Sequence, residues 1–176
     1  MLTMTIKSKH IHLLIASGSI AALAVNIIYL QDYLGLLPCS LCVLQRLAYM
    51  LIAATALMAL SHDPRRRQPA LADSLLLAWS AAGILLAGGQ IWFINSARAA
   101  LGDCHLSAAE NLLQILPLAQ WWPAMFTSHG DCAAVRWSLL QVSMADISMV
   151  VFVLIGVLSI AGARKKRRES ARMMFS

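Results

Sequence analysis

The chain carries four cysteines. Cys39 and Cys42 form a Cys-x-x-Cys at the start of an apolar run, and Cys104 and Cys132 sit in one long polar loop. A thiolate that attacks a disulfide sulfur passes two electrons from one thiol pair to another. Two potential disulfides facing one compartment therefore make a redox relay. A ring closed between Cys39 and Cys42 is very small, so it adds little loop-closure stabilisation and suits reversible chemistry better than stapling. The competing reading is a non-enzymatic membrane protein, a metal-binding or partner-binding scaffold in which both disulfides are static.

Pro38 directly before Cys39 favours a helix that starts there, with Cys39 in its first turn. The partial positive charge of a helix N-terminus stabilises a thiolate. Arg46 lies four residues after Cys42, on the same face of that helix. An arginine inside an apolar run is costly and marks a functional site, although snorkelling to the interface is the bland alternative. Its fixed charge suits a negatively charged thiol and an electron acceptor beside it, which has to be lipid-soluble.

These groups must be positioned inside a membrane. Of the 176 residues, 60% are hydrophobic and 12% are charged, with a mean hydropathy of +0.71, well beyond what a soluble core needs. Four stretches approach the length that crosses roughly 30 Å of hydrocarbon: about 11–30, 41–60, 71–94 and 145–163. Ser143, with Asp146 three residues on, reads as the capped start of the last one. The net charge of +6 does not indicate nucleic acid, because the basic residues cluster at the membrane ends. Lys7 and Lys9 precede the first span, Arg65, Arg66 and Arg67 separate the second and third, and Arg164, Lys165, Lys166, Arg167, Arg168 and Arg172 follow the fourth. The positive-inside rule makes those segments and both termini cytoplasmic and puts loops 31–40 and 95–144 outside. The first apolar run, with Ala22-Leu23-Ala24, resembles a secretory signal, but it continues through Leu30 and reads as an uncleaved anchor.

The expected fold is an all-α membrane protein: one four-transmembrane-helix bundle, residues 1–176, without internal repeats. Its second outer loop, roughly fifty residues, is too long for a mere connection. Residues 111–126, rich in Leu and Trp and interrupted by Pro117 and Pro123, read as a short helix lying on the outer membrane face or packing against the bundle. His105 and His129 flank the loop cysteines without a standard zinc spacing, so no metal is assigned. His10, His12 and His62 read as boundary residues on the cytoplasmic side. Asn26 and Gln90 read as helix-to-helix hydrogen bonds, and Gly83, Gly88 and Gly89 as points of close helix contact.

The segment Pro38-Cys39-Ser40-Leu41-Cys42-Val43-Leu44-Gln45-Arg46, together with the loop cysteines and Trp137 five residues beyond Cys132, resembles the DsbB-type disulfide bond formation proteins over essentially the whole chain. The resemblance implies a thiol:quinone oxidoreductase of the bacterial inner membrane, which reoxidises a periplasmic DsbA-like thiol oxidase and passes the electrons to ubiquinone or menaquinone. It implies that Cys104 and Cys132 form the pair attacked by the partner, that Cys132 then attacks Cys39, and that Cys42 faces the quinone. Arg46 polarises the quinone oxygen, with Gln45, Asn95 and Met144 as further quinone contacts. Asn95 stands where some members carry a histidine; it can hydrogen-bond a quinone oxygen but cannot deliver a proton as imidazolium does. Ser143-Met144 matches the family, whereas Ala145 and Ile147 replace its Pro and Trp.

Overall fold

In a computed structural model, the residues described are 8–35, 38–61, 68–96, 115, 121–126, 138–139 and 142–174. Helix α1 (Ser8–Ala24) continues without a break into wider π-type turns over Val25–Tyr33. Helices α2 (Ser40–Ser61) and α3 (Gln68–Asn95) follow, then a single turn, α4 (Pro123–Phe126). A two-residue antiparallel pair, β1 (Ser138–Leu139) with β2 (Val142–Ser143), leads into α5 (Met144–Met174). Among the described residues four helical segments are long and apolar enough to cross a membrane: Lys9–Tyr33, Ser40–Ser61, Leu71–Asn95 and Met144–Arg164. This is the expected four-helix bundle, and the small β pair is an addition that no strand-like alternation announced.

Helix α1 packs on α2, α2 on α3 and α3 on α5, and α1 also touches α5, so the four spans close into a bundle. The α5 start is a reciprocal cap: Ser143 N donates to Asp146 Oδ2 at 2.9 Å, and Asp146 N donates to Ser143 Oγ at 3.3 Å. Two of the orphan donors at the helix entrance thereby gain acceptors. At 31 residues α5 is about 46 Å long, which exceeds roughly 30 Å of hydrocarbon. Its basic segment beyond Arg164 is therefore a helical extension of the span.

The central layer is built from Ile15, Tyr49, Ile52, Leu76, Phe152 and Ile155, all buried. The Tyr49 and Phe152 rings stack with centroids 4.3 Å apart. Gly83 permits this: a Cβ there would lie 2.4 Å from the Phe152 ring, so only glycine lets α3 approach α5 so closely. Gly88 serves similarly against Met149, with a Cβ contact at 3.2 Å. Gly89 faces open space and does not fulfil the expected packing role.

His12, read as a boundary residue, lies in the first turn of its span. It is buried and pairs with Asp73 at 3.2 Å, tying α1 to α3 at the end opposite the cysteines. An apolar bundle tolerates such a group only when it is paired, and its partner lay too far along the chain for spacing to reveal. His10 is exposed.

The Gly83–Phe152 contact is testable by a double-mutant cycle. Gly83→Ala should destabilise the bundle by about 1–3 kcal/mol through overpacking. Adding Phe152→Leu should restore part of that loss, read as a positive coupling in detergent unfolding.

Candidate functional site

The site forms where the C-terminal end of α1, the N-terminal end of α2 and the C-terminal end of α3 meet. Gly35, at φ +62°, turns the chain after the π-type segment in a conformation that suits glycine, and Pro38 leads into α2. The Val43 amide donates to the Cys39 carbonyl at 3.1 Å. Cys39 is thus the residue flanking the helix, one position earlier than expected, while Cys42 lies within the first turn. Cys39 is fully buried and Cys42 is half-buried. The Cys39 thiol points at the Cys42 sulfur, with the two sulfurs 3.0 Å apart. A small closing movement brings such a contact to the roughly 2 Å of a disulfide bond.

Around them pack Leu41, Val43, Leu44 and Phe93, and from α4 Met125 and Phe126. Of segment 111–126, residues 111–114 and 116–120 lie outside the described residues, and its described end packs against the bundle. Trp121 and Trp122 are 88% and 58% exposed and face outward, while Met125 and Phe126 are buried against the cysteine cluster. Pro123, whose missing N–H costs nothing at a first helical position, starts this turn. The turn covers the thiol pair and keeps its surroundings apolar.

Arg46 is buried at 3% exposure, so it does not snorkel. Its Nη1 donates to Gln31 Oε1 at 2.8 Å and its Nη2 to the Asn26 carbonyl at 3.2 Å, both on the π-type segment. The Asn26 side chain itself turns back to the Ala22 carbonyl at 2.8 Å, so its link between helices runs through the backbone and not through the amide expected to make it. Arg46 follows Cys42 by one turn of the same helix. Its Nε is buried with no hydrogen-bond partner among the described residues. A buried donor left over in this way suits an additional acceptor such as a carbonyl oxygen.

Gln90, read only as a helix contact, belongs to the site. Its Nε2 donates to Cys42 Sγ at 3.4 Å and to Cys39 Sγ at 3.8 Å. Gln45 is turned toward Gln90, donating from its Nε2 to Gln90 Oε1 at 2.8 Å. A signal for this pair existed in the sequence. Gln45 is five residues from the start of α2 and Gln90 five from the end of α3, so antiparallel neighbours place both amides about 7.5 Å deep. Asn95 is exposed at the last residue of α3, and Met144 is half-buried at the first of α5, both at this end of the bundle. Cys104 and Cys132, with His105, His129 and Trp137, lie outside the described residues. Among the described residues no cluster of three or more His, Cys, Asp or Glu side chains could hold a metal.

A thiol pair beside a buried guanidinium, at one end of a four-helix membrane bundle, defines a membrane protein equipped for dithiol–disulfide exchange. Residues 8–162 match the family model described as disulfide bond formation protein DsbB. Among similar proteins, disulfide bond formation protein B of Nitrosomonas eutropha is 41% identical over 75% of this chain and 80% of its own length. The protein of the same name from Nitrosospira multiformis is 40% identical over 76% and 78%, and disulfide bond formation protein B 1 of Pseudomonas putida is 32% identical over 81% and 83%. The chain belongs to the DsbB family of disulfide bond formation proteins. It is a multi-pass membrane protein with a disulfide-forming oxidoreductase role.

The unequal burial of the two thiols has a direct consequence, because alkylation follows thiolate character and access. Brief iodoacetamide treatment of the reduced protein should label Cys42 well before Cys39, read by peptide mass mapping. Equal labelling would contradict the described geometry.

Proposed function

We propose that this protein reoxidises a periplasmic DsbA-like thiol oxidase and delivers the two electrons to membrane quinone, ubiquinone or menaquinone, from the bacterial inner membrane with both termini cytoplasmic. A thiolate of the reduced partner attacks Cys104 of a Cys104–Cys132 disulfide; that bond breaks and Cys132 leaves as a thiolate. Cys132 attacks Cys39, and the electron pair of the Cys39–Cys42 bond moves onto Cys42. The second partner thiol resolves the mixed disulfide, releasing oxidised partner, and Cys104 recovers its bond to Cys132, which leaves Cys39 and Cys42 as a dithiol. Quinone supplies a two-electron, two-proton acceptor, so the dithiol is reoxidised as quinol is formed.

The observation that carries this reading is the pair of sulfurs 3.0 Å apart beside a buried arginine, in a chain of this family. Arg46 would hold a quinone oxygen and balance the charge that grows there, in surroundings where water is excluded. Its buried, unmatched Nε is the donor available for that contact. Asn95 and Met144, at the same end of the bundle, would contribute further contacts. Gln45, committed to Gln90, would act from behind the thiols.

Replacing Cys104 with Ala should reduce turnover of a reduced DsbA-like partner to background while the purified protein remains monodisperse and helical. Full oxidase activity in that variant would refute the relay.

A further inference from the structure

Two amides in apolar helices have to find partners, and here they find each other and the thiols. Gln90 is 3% exposed and Gln45 5%. Each amide has one acceptor end and one donor end. Because Gln45 donates to the Gln90 oxygen, the Gln90 NH2 is turned toward the sulfurs, where its Nε2 reaches both, the nearer being Cys42. A donor in that position favours negative charge on sulfur, and a hydrogen bond to a charged acceptor exceeds one to a neutral thiol.

We infer that Gln90 is a catalytic residue of the thiol chemistry and that Gln45 is its positioning residue, the two forming a one-directional donor clamp for the Cys42 thiolate. The inference deepens the proposed function and rests on it for the direction of electron flow. When an incoming thiolate forms a bond to Cys39 sulfur, the Cys39–Cys42 bond breaks and its electron pair leaves with Cys42. The Gln90 NH2 already faces that sulfur, so charge develops against a prepared donor and no reorganisation is needed. The guanidinium of Arg46 contributes charge at longer range, whereas Gln90 contributes the directed hydrogen bond. The clamp also explains why Gln45, beside Arg46 in the sequence, is buried toward α3.

The test is the alkylation rate of Cys42 at neutral pH in the full-length reduced protein, followed by mass mapping, for wild type, Gln90→Met, Gln90→Glu and Gln45→Met. No quinone or partner enters this assay. Loss of a charge-assisted hydrogen bond lowers the thiolate population about tenfold. The greater nucleophilicity of the more basic thiolate returns part of that, leaving a decrease of about threefold. Gln90→Met should show this decrease. Gln90→Glu should show a larger one, because its carboxylate keeps the Gln45 contact and the side-chain shape, presents no donor and sets like charge beside the thiolate. Should Gln90→Met fail to fold, Gln90→Glu carries the test. Gln45→Met should slow alkylation less than either. Wild-type rates in the Gln90 variants would overturn the clamp. Slowed alkylation in a protein that consumes no quinone would uphold the clamp and refute the proposed function, so the two failures are distinct.

Discussion

A guanidinium enclosed among apolar helices has to be compensated where it sits, and the architecture of the cysteine end follows from that requirement. Arg46 is held by the Gln31 amide oxygen and the Asn26 carbonyl, both on the stretch where α1 changes to wider turns. Interruptions of this kind recur at functional sites because they alter which backbone groups face inward. Burying a charge in this setting costs several kcal/mol unless it is matched. Among the described residues the match is partial, since Nε has no hydrogen-bond partner.

The thiol pair is fixed by different forces. Cys39 is locked by packing, fully buried beside Phe93, Met125 and Phe126, and its carbonyl accepts the bond from Val43 that starts α2. Cys42, in the first turn, retains access and receives the Gln90 donor. The two sulfurs are thus held in unequal surroundings, one by packing and the other by a directed donor. Far from it, the Tyr49–Phe152 stack and the His12–Asp73 pair hold the rest of the bundle. Among the described residues, Cys42, Gln45 and Arg46 are carried by α2 and Gln90 by α3.

Apolar run lengths made the four spans legible in the sequence, and Ser143 with Asp146 made the α5 start legible, because both depend on local patterns. Arg46 stood out since a charge in an apolar run is an anomaly wherever its partners lie. Gln90 did not, because a lone glutamine in a membrane helix usually bonds a neighbouring helix. It does so here as well, and only the packing of α3 on α2 shows that its other end meets sulfur. The pairing of His12 was hidden for a related reason: its partner Asp73 is 61 residues away. The π-type turns carry no composition signal that distinguishes them from α-helix. Gly83 and Gly89 look alike in the sequence, and only one of them meets an aromatic ring.

The central claim is that the Cys39–Cys42 couple exchanges two electrons with a quinone. Anaerobic mixing of quinone with purified protein and excess reduced DsbA-like thiol, followed by quinone absorbance and by thiol counting, tests it directly. Quinone should be lost in step with partner disulfide formed, one for one, and the loss should stop when Cys42 is replaced by Ser. Partner disulfide formed without loss of quinone, or quinone loss that persists in the Cys42→Ser protein, would contradict it.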